Sequence, residues 1–337
     1  MSADVQQQAA EFRQVFESLV AEAQKVIVGN REIVEGTLTA LFAGGHVLLE
    51  GVPGLGKTLL VRTLSQVLDL PFSRIQFTPD LMPADIVGTN MVQDDPATGR
   101  RSFVFEKGPV FANLVLADEV NRATPKTQSA LLEAMQERTV TVAGKRYDLA
   151  PPFFVLATQN PLEMEGTYPL PEAQLDRFLY KLLVPFPNRA ELGTILDRTT
   201  ANDQAQPRKV LAGAETIRWM EFVRRVVIAP HVQDFAVRLI LATHPDSEFA
   251  TDMTKKFVRY GSSPRGAQAV ILGAKIKALR AERFNVAFAD IEAIATAALR
   301  HRMILNFEGE AEGITTDDVI ADILKKVPRE AEGVAAR

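Results

Sequence analysis

Apolar residues in the first 188 positions recur with two spacings, one typical of strands and one typical of helices. The strand type consists of short apolar runs bounded by polar or turn-forming residues. These runs lie at 46–50, 72–77, 113–118, 153–158 and 181–184. Between them, stretches such as TPKTQSALLEAMQ carry the helical spacing. This alternation predicts an α/β fold in which a mostly parallel sheet lies between two layers of helices.

Two stretches break the alternation and are better explained as β-hairpins. NMVQDDPATGRRSFVFE, at 90–106, has a polar turn at 94–100. TVTVAGKRYDL, at 139–149, turns at 143–144, where alanine and glycine suit a tight hairpin turn. We therefore expect two hairpins inserted into the α/β core.

Helices are expected before the first strand and after the last one. Residues 11–25 and the segment from Glu32 to the glycine pair 44–45 have helical spacing. After about residue 188 the strand pattern fades, and four or more amphipathic helical patterns follow. The sequence therefore predicts a core domain at 1–188, with leading helices and two hairpins, and an all-helical domain at 189–337.

Composition and charge exclude several classes of function. Cysteine is absent, and the four histidines are not spaced as ligands, which argues against a transition-metal centre. No apolar run has the length of a membrane span and the first residues are polar, so we expect a soluble cytoplasmic protein. A net charge of −4 provides no overall field that would gather nucleic acid.

The segment GVPGLGKT, at 51–58, lies between the first predicted strand and a predicted helix and matches GxxxxGK[ST]. In this pattern backbone amides surround phosphate oxygens, Lys57 reaches the terminal phosphates, and Thr58 offers its hydroxyl to Mg²⁺. The alternative is a glycine-rich turn without a ligand. The residues predicted to bind the nucleotide here are Gly51, Val52, Pro53, Gly54, Leu55, Gly56, Lys57, Thr58 and Leu59.

Two acids, Asp118 and Glu119, follow the apolar run NLVLA. A buried strand would deliver them to the carboxyl edge of the sheet, where open parallel sheets bind ligands. Asp118 would then hold Mg²⁺, directly or through water, and Glu119 would orient and deprotonate the attacking water. The alternative is that both acids only cap the next helix.

Asn160, Arg177 and Arg265 are candidates whose individual signals are weaker. Asn160 follows another apolar run and has an uncharged side chain able to hold a water beside a terminal phosphate; alternatively it only forms a turn before Pro161. Arg177, in PEAQLDRF, and Arg265, in SSPRGAQ, have surface ion pairs as their alternative. The motifs around both arginines favour a functional role for them more than for an arbitrary arginine.

These segments, taken in order, resemble the AAA+ ATPases and, among them, the MoxR family. The resemblance spans most of the chain. Its matched segments are VIVGN, GHVLLEGVPGLGKT, QFTPDLMPADIVG, FEKGPVFANLVLADEVNRA, LLEAMQE, LATQNP and GTYPLPEAQLDRF. It implies a P-loop NTPase core followed by a helical lid, with the hairpins similar to the helix-two insertion and the pre-sensor-one hairpin of this clade.

The resemblance also implies ATP and Mg²⁺ as ligands, with a role for each matched residue. Residues 51–58 resemble the Walker A loop, Asp118 and Glu119 complete Walker B, and Asn160 resembles sensor one. Val28 and Gly29, with Asn30, would lie near the adenine.

Arg177 resembles the arginine finger, and Arg265 resembles sensor two, which would couple the lid to the phosphates of the nucleotide. Because an arginine finger acts on a neighbouring subunit, a homo-oligomeric ring, expected to be a hexamer, is implied. Arg122 could also face a neighbour, and which arginines act in cis or in trans stays open. The stretch 255–280, with seven cations and no acid, either serves the same interface or is a solvated helix face.

The resemblance further implies remodelling or maturation of client proteins together with a partner that contains a von Willebrand factor A domain. No such domain lies in this chain, so a partner protein would supply it.

A first alternative is a nucleic-acid motor similar to the MCM helicases, for which the dedicated DNA-binding domain and a positive net charge are missing. A second is a nucleotide switch that barely hydrolyses ATP, against which Glu119, Asn160 and Arg177 together argue. The sequence contains no NKxD segment, which a GTPase would use to recognise its base. A function as a small-molecule kinase would leave the two hairpins and the helical lid unexplained.

Overall fold

The structure is a computed structural model that describes residues 3–52, 54–94, 101–160, 167–200 and 205–329. Within these ranges the chain forms strands and helices in close alternation. The strands are β1 (Val47–Glu50), β2 (Phe72–Gln76), β3 (Gly88–Asp94), β4 (Arg101–Lys107), β5 (Leu114–Asp118), β6 (Thr139–Val142), β7 (Lys145–Asp148), β8 (Phe154–Gln159), β9 (Tyr180–Leu183), β10 (Val258–Tyr260) and β11 (Ile304–Leu305).

The α-helices are likewise numbered in chain order. They are α1 (Ala3–Gln24), α2 (Arg31–Ala43), α3 (Lys57–Leu68), α4 (Pro83–Val87), α5 (Pro125–Glu137), α6 (Glu172–Leu175), α7 (Arg189–Thr200), α8 (Gly213–Arg224), α9 (Pro230–Ala242), α10 (Asp252–Phe257), α11 (Pro264–Arg280), α12 (Phe288–Leu299), α13 (Phe307–Ala311) and α14 (Thr316–Lys326). Among the helices described, none combines the length and the apolar character that crossing a bilayer requires.

Five strands form one sheet in the order β2-β5-β8-β1-β9. Every neighbouring pair in this sheet is parallel. All five apolar runs of the sequence are strands of this sheet, with ends displaced by at most one residue. The predicted parallel α/β core is therefore confirmed.

Alternate side chains of the strands enter two different hydrophobic clusters, one on each face of the sheet. In β1, Val47 and Leu49 belong to the first cluster, whereas Leu48 belongs to the second. The first cluster also contains residues of α1, α2 and α3, and the second contains residues of α5. The sheet is thus the middle of three layers.

Both predicted hairpins are present. β3 pairs with β4, and β6 pairs with β7, in antiparallel fashion. Ala143 and Gly144 have φ values of 49° and 77°, as a two-residue turn with two left-handed positions requires. The tip of the first hairpin, 95–100, lies outside the described residues. Near their bases the hairpins contact each other, since the rings of Phe105 and Tyr147 stack at 4.2 Å.

The second half of the chain is helical, as expected, with one difference. β10 and β11 pair antiparallel between helices of this half. Strands of two and three residues are too short to show a period-two pattern, so the sequence does not reveal them. The stretch 255–280 runs from α10 through β10 to α11.

Cations of that stretch contact acids on other elements. Lys256 lies 3.3 Å from Glu308 and 2.9 Å from Glu312. Arg280, only 14% exposed, lies 3.0 Å from Glu17 and 2.8 Å from Glu35 of the leading helices. The stretch therefore contributes to packing within the chain, which neither of the two sequence-based interpretations included.

The leading helices lie between the sheet and the second half of the chain. Phe12 of α1 packs edge-on against Phe42 of α2, at 5.3 Å, and against Trp219 of α8, at 5.5 Å. One hydrophobic cluster accordingly runs from the sheet through α1 and α2 into the helices beyond residue 200. The domain boundary near residue 188 stays a prediction.

We expect Phe12→Ala to lower the free energy of unfolding by about 3–5 kcal/mol, because it leaves a cavity at the junction of α1, α2 and α8. Urea denaturation measures the change. Phe307→Ala is the matched control, because that ring is 85% exposed and its removal should cost little. Equal losses in the two variants would show that Phe12 does not join the two halves.

His46, directly before β1, is buried and held in one neutral tautomer. Its Nδ1 accepts the backbone N–H of Val155 at 3.0 Å, and its Nε2 donates to the carbonyl of Met135 at 3.1 Å. Burial lowers the pKa of His46 to about 4, against a weaker opposing effect of the Met135 carbonyl. A proton added to Nδ1 would face the donor N–H of Val155.

This arrangement predicts a pH-dependent stability. An unfolded histidine has a pKa of about 6.5, so the contribution of neutral His46 is complete above that pH and is lost as pH falls toward 4. Between pH 7 and pH 5 the wild type should lose about 2 kcal/mol more unfolding free energy than His46→Gln. Urea midpoints at both pH values measure this, with the exposed His231→Gln as control, which should keep the wild-type pH dependence.

Candidate functional site

The loop 51–56 joins the carboxyl end of β1 to the first residue of α3. Gly54 and Gly56 have φ values of 84° and 74°, in the left-handed region that favours glycine. A Cβ at either position would meet nothing within 4 Å, so the backbone conformation and not the space requires glycine. Pro53 lies outside the described residues. The loop therefore opens toward the sheet edge beside the amino end of α3.

Lys57 begins α3 and turns back over this loop. Its Nζ donates to the carbonyl of Gly51. Burial lowers the pKa of Lys57, whereas the charges of Asp118, Glu119 and Glu50 oppose that shift. The Lys57 ammonium group therefore lies against the loop and within electrostatic reach of Asp118 and Glu119.

Asp118 ends β5 and receives hydrogen bonds from both neighbouring strands. Its Oδ1 accepts from Thr158 Oγ1 of β8 at 2.7 Å. Its Oδ2 accepts from Nη2 and Nε of Arg74, on β2, at 2.7 and 3.1 Å. Because β5 lies between β2 and β8, the strand order itself supplies these two partners.

Glu119 has left-handed backbone angles, with φ 57° and ψ 51°, at the point where β5 ends. Its backbone N–H donates to Thr158 Oγ1 at 2.8 Å. Its Oε2 accepts from Gln76 Nε2 at 2.9 Å and from Arg122 Nη1 at 3.0 Å. The carboxylate of Glu119 is therefore restrained by side chains of its own chain, and Arg122 contacts it directly.

A chain of hydrogen bonds links the two acids. Arg74 donates to Asp118 and also, through Nη2, to Oε1 of Gln76. Nε2 of Gln76 in turn donates to Glu119. The sequence-based search missed Arg74, Gln76 and Thr158. A signal was present for the first two, since polar residues two apart on a strand share one face. That β5, with Asp118 at its end, is the strand beside β2 is decided by the strand order.

A cavity of about 440 Å³ lies where these elements meet. It is lined by Gly54, Leu55, Gly56, Lys57, Thr58, Leu59, Arg74, Asp118, Glu119, Thr158 and Asn160. Asn160, directly after β8, is 5% exposed. The structure thus brings Lys57, Thr58, Asp118, Glu119 and Asn160 to one cavity, as their positions after neighbouring parallel strands led us to expect.

A second cavity, of about 390 Å³, shares the loop residues and is more apolar. Val28 and Asn30 line it together with Phe186, Leu192 and Ile195 from the chain around α7. Gly29 is not among the lining residues; its φ is 65°, and a Cβ there would lie 2.2 Å from Glu191 Oε1. Gly51 and Val52 are likewise absent from the lining residues of both cavities. Sequence reasoning missed Phe186 and Leu192, since nothing local pairs α7 with residues 26–30.

Arg177 and Arg265, the two arginines predicted to act on the nucleotide, line neither of these cavities. Arg177 follows α6 and is half-buried, and its Nε has no hydrogen-bond partner among the residues described. Arg265, in the first turn of α11, places Nη1 3.5 Å from Asp176 Oδ2. Neither arginine lines the cavity beside Lys57. The structure therefore brings these two arginines close to Asp176 and not to the cavity of their own chain.

The oxygen ligands around the first cavity are few. Within the described ranges, no group of three or more His, Asp and Glu side chains is arranged to hold a metal ion. Mg²⁺ in nucleotide sites is held by one or two protein oxygens together with substrate phosphates and water. The Thr58 hydroxyl and the Asp118 carboxylate, on one cavity, fit that requirement.

Comparisons with known proteins agree with this geometry. Residues 46–180 match the family described as "ATPase family associated with various cellular activities (AAA)", and residues 251–323 match the AAA lid domain. The chain is 42% identical to Chaperone MoxR1 of Mycobacterium tuberculosis, over 92% of this chain and 81% of that protein.

Two further proteins are similar over nearly the full length. Protein MoxR of Methylorubrum extorquens is 29% identical, over 91% of this chain and 93% of that protein. The second is a protein of Cytophaga hutchinsonii that is named as a suggested ATPase. Its crystal structure superposes on this chain with a TM-score of 0.88 at 41% sequence identity. It covers 96% of this chain and 97% of its own.

Thr158→Val should destabilise the protein by about 1–3 kcal/mol, because it removes the hydroxyl that serves both Asp118 Oδ1 and the backbone N–H of Glu119. Thr37→Val is the matched control. The buried Thr37 hydroxyl donates only to the carbonyl of Ile33 within its own helix, and its loss should cost less. Urea denaturation of both variants tests this, and an equal or smaller loss for Thr158→Val would contradict it.

Proposed function

Because the chain belongs to the MoxR family of AAA ATPases, we propose that it hydrolyses ATP with Mg²⁺ as part of a ring of identical subunits. The ring would act in the cytoplasm as a chaperone-like remodelling or maturation factor for partner proteins. The observation that carries the proposal is the single cavity shared by Lys57, Thr58, Asp118, Glu119 and Asn160.

The two adjoining cavities match the two parts of ATP. The apolar one, lined by Val28, Phe186 and Leu192, suits adenine, and the loop between them suits the phosphate chain. Backbone amides at the amino end of α3 and the Lys57 ammonium would bind phosphate oxygens. Lys57 would exchange its bond to the Gly51 carbonyl for a stronger bond to a charged phosphate.

Thr58 and Asp118 would hold the Mg²⁺, which neutralises charge on the phosphates. For this, Asp118 must give up at least part of its bond to Arg74. Glu119 would take a proton from the attacking water, and Asn160 would hold that water in place. Oε2 of Glu119 is bound by Gln76 and Arg122, so the proposed base is restrained in the described arrangement.

Arg177 and Arg265 support a ring. Neither arginine lines the cavity of its own chain, although both lie in the motifs that carry the family resemblance. Each would complete the site of a neighbouring subunit, where an arginine finger increases the rate by about 10³–10⁵-fold. We propose six subunits, as the family resemblance implies, and a partner with a von Willebrand factor A domain.

The two alternatives are weaker. A nucleic-acid motor would use a dedicated DNA-binding domain or a positive net charge, and the sequence offers neither. For a switch that does not hydrolyse ATP, Glu119 and Asn160 would not need to share the cavity with Lys57. We retain ATP-driven remodelling as the proposed function.

We expect Glu119→Gln to bind ATP but to lose hydrolysis by about a hundredfold or more, because an amide cannot accept the proton of the attacking water. Lys57→Ala should lose ATP affinity itself. Phosphate release and calorimetric titration with ATP and Mg²⁺ measure the two effects separately. Lys209→Ala is a matched control, since this exposed lysine contacts Asp69 at 2.6 Å and does not line the cavity. Unchanged hydrolysis by Glu119→Gln would rule out its assignment as the base.

A further inference from the structure

Asp176, the residue before Arg177, is the point where three side chains of the helical half reach the first half of the chain. Its Oδ1 accepts from Ser263 Oγ at 2.8 Å and from Arg302 Nε at 2.9 Å. Its Oδ2 lies 3.5 Å from Arg265 Nη1. One carboxylate thus collects donors from the start of α11 and from the turn after α12.

Arg302 also holds the backbone on both sides of Arg177. Its side chain is 2% exposed. Nη2 donates to the carbonyls of Asp176, at 3.1 Å, and Phe178, at 2.6 Å. Nη1 donates to the carbonyl of Leu179 at 3.0 Å and to that of Ala298 on α12. A planar guanidinium with five N–H groups is suited to such a set, and an ammonium group is not.

Two further contacts restrain the same segment. His301 Nε2 lies 3.0 Å from the carbonyl of Phe178, which can only accept, so Nε2 carries the proton. The N–H of Leu179 donates to the carbonyl of His46 at 2.7 Å, which fixes the segment to the chain before β1. The backbone at 176–179 therefore lies between the helical half and the sheet and is bonded to both.

We propose that Arg302 is a positioning residue for Arg177, so that the placement of the helical half in one subunit sets the rate of ATP hydrolysis in its neighbour. This inference rests on the proposed action of Arg177 on an adjacent subunit. The backbone of Arg177 is held on both sides by one buried guanidinium, which binds the carbonyls of the residues before and after it. The reach of the Arg177 guanidinium then depends on where α12 holds the segment, and a displacement of about 1 Å can cost up to a hundredfold in rate.

Arg302→Lys tests this, because lysine keeps the charge but cannot serve a carboxylate and several carbonyls together. We expect kcat to fall by about ten- to a hundredfold while the affinity for ATP, measured by calorimetry on Glu119→Gln with and without the substitution, is unchanged. Arg300→Lys is the matched control. Arg300 lies two residues away and pairs with Asp317 at 2.7 and 3.0 Å without contacting 176–179, so kcat should be unchanged.

Mixed rings separate action on the neighbour from action on the own site. Full-length Arg302→Lys and Glu119→Gln subunits are coexpressed with different tags, and rings that carry both are purified. Glu119→Gln subunits do not hydrolyse ATP but supply an intact Arg177, so turnover should exceed that of either homogeneous ring. Rings of Arg177→Ala with Glu119→Gln provide the reference for full complementation.

The possible results are distinct. Normal kcat in Arg302→Lys, or a loss that mixing does not relieve although Arg177→Ala is relieved, overturns the inference alone. Failure of the Arg177→Ala reference to recover overturns the proposed action in trans, and the inference with it. If Arg302→Lys does not fold, as judged by thermal unfolding, Asp176→Asn takes its place. It keeps the shape and removes the charge that Arg302 contacts, so the same loss and the same recovery are expected.

Discussion

Parallel pairing of five strands is the constraint on which the rest of the structure depends. It places the carboxyl ends of β1, β5 and β8 at one edge, so that residues following each strand share a single cavity. It also sets β5 between β2 and β8, which gives Asp118 a donor on each side. In an antiparallel sheet, successive strands would end at opposite edges and the same residues would be separated.

The charged groups at this edge are satisfied within the chain. Lys57 bonds to Gly51, Asp118 to Arg74 and Thr158, and Glu119 to Gln76 and Arg122. Half-buried charges need such partners, because unpaired ones are costly to remove from water. A triphosphate with its metal ion would have to exchange these bonds for its own. Binding would therefore reorganise the site, and the internal partners define the state from which that change begins.

The helical half is joined to the sheet by contacts of two kinds. Apolar contacts run through the leading helices, where Phe12 meets Trp219. Polar contacts concentrate on the segment 176–179, where Arg302 and His301 bind carbonyl oxygens. Apolar surfaces tolerate small sliding motions more readily than a multiply bonded guanidinium does, because hydrogen bonds are directional. Any displacement of the helical half would therefore act most directly on the backbone around Arg177.

The sequence by itself determined the five strands of the sheet, both hairpins, the glycine-rich loop after β1 and the positions of Asp118, Glu119 and Asn160 near one edge. These features follow from local periodicity, from the glycine pattern GxxxxGK[ST] and from the rule that parallel strands end at one edge of a sheet. Only the tertiary structure decided that Arg74, Gln76 and Thr158 hold the acids, that Phe186 lines the apolar cavity, and that Arg265 lies on Asp176. The residues in each of these contacts are separated by tens of residues or more along the chain. The contacts depend on strand order and helix packing, which local sequence patterns do not specify.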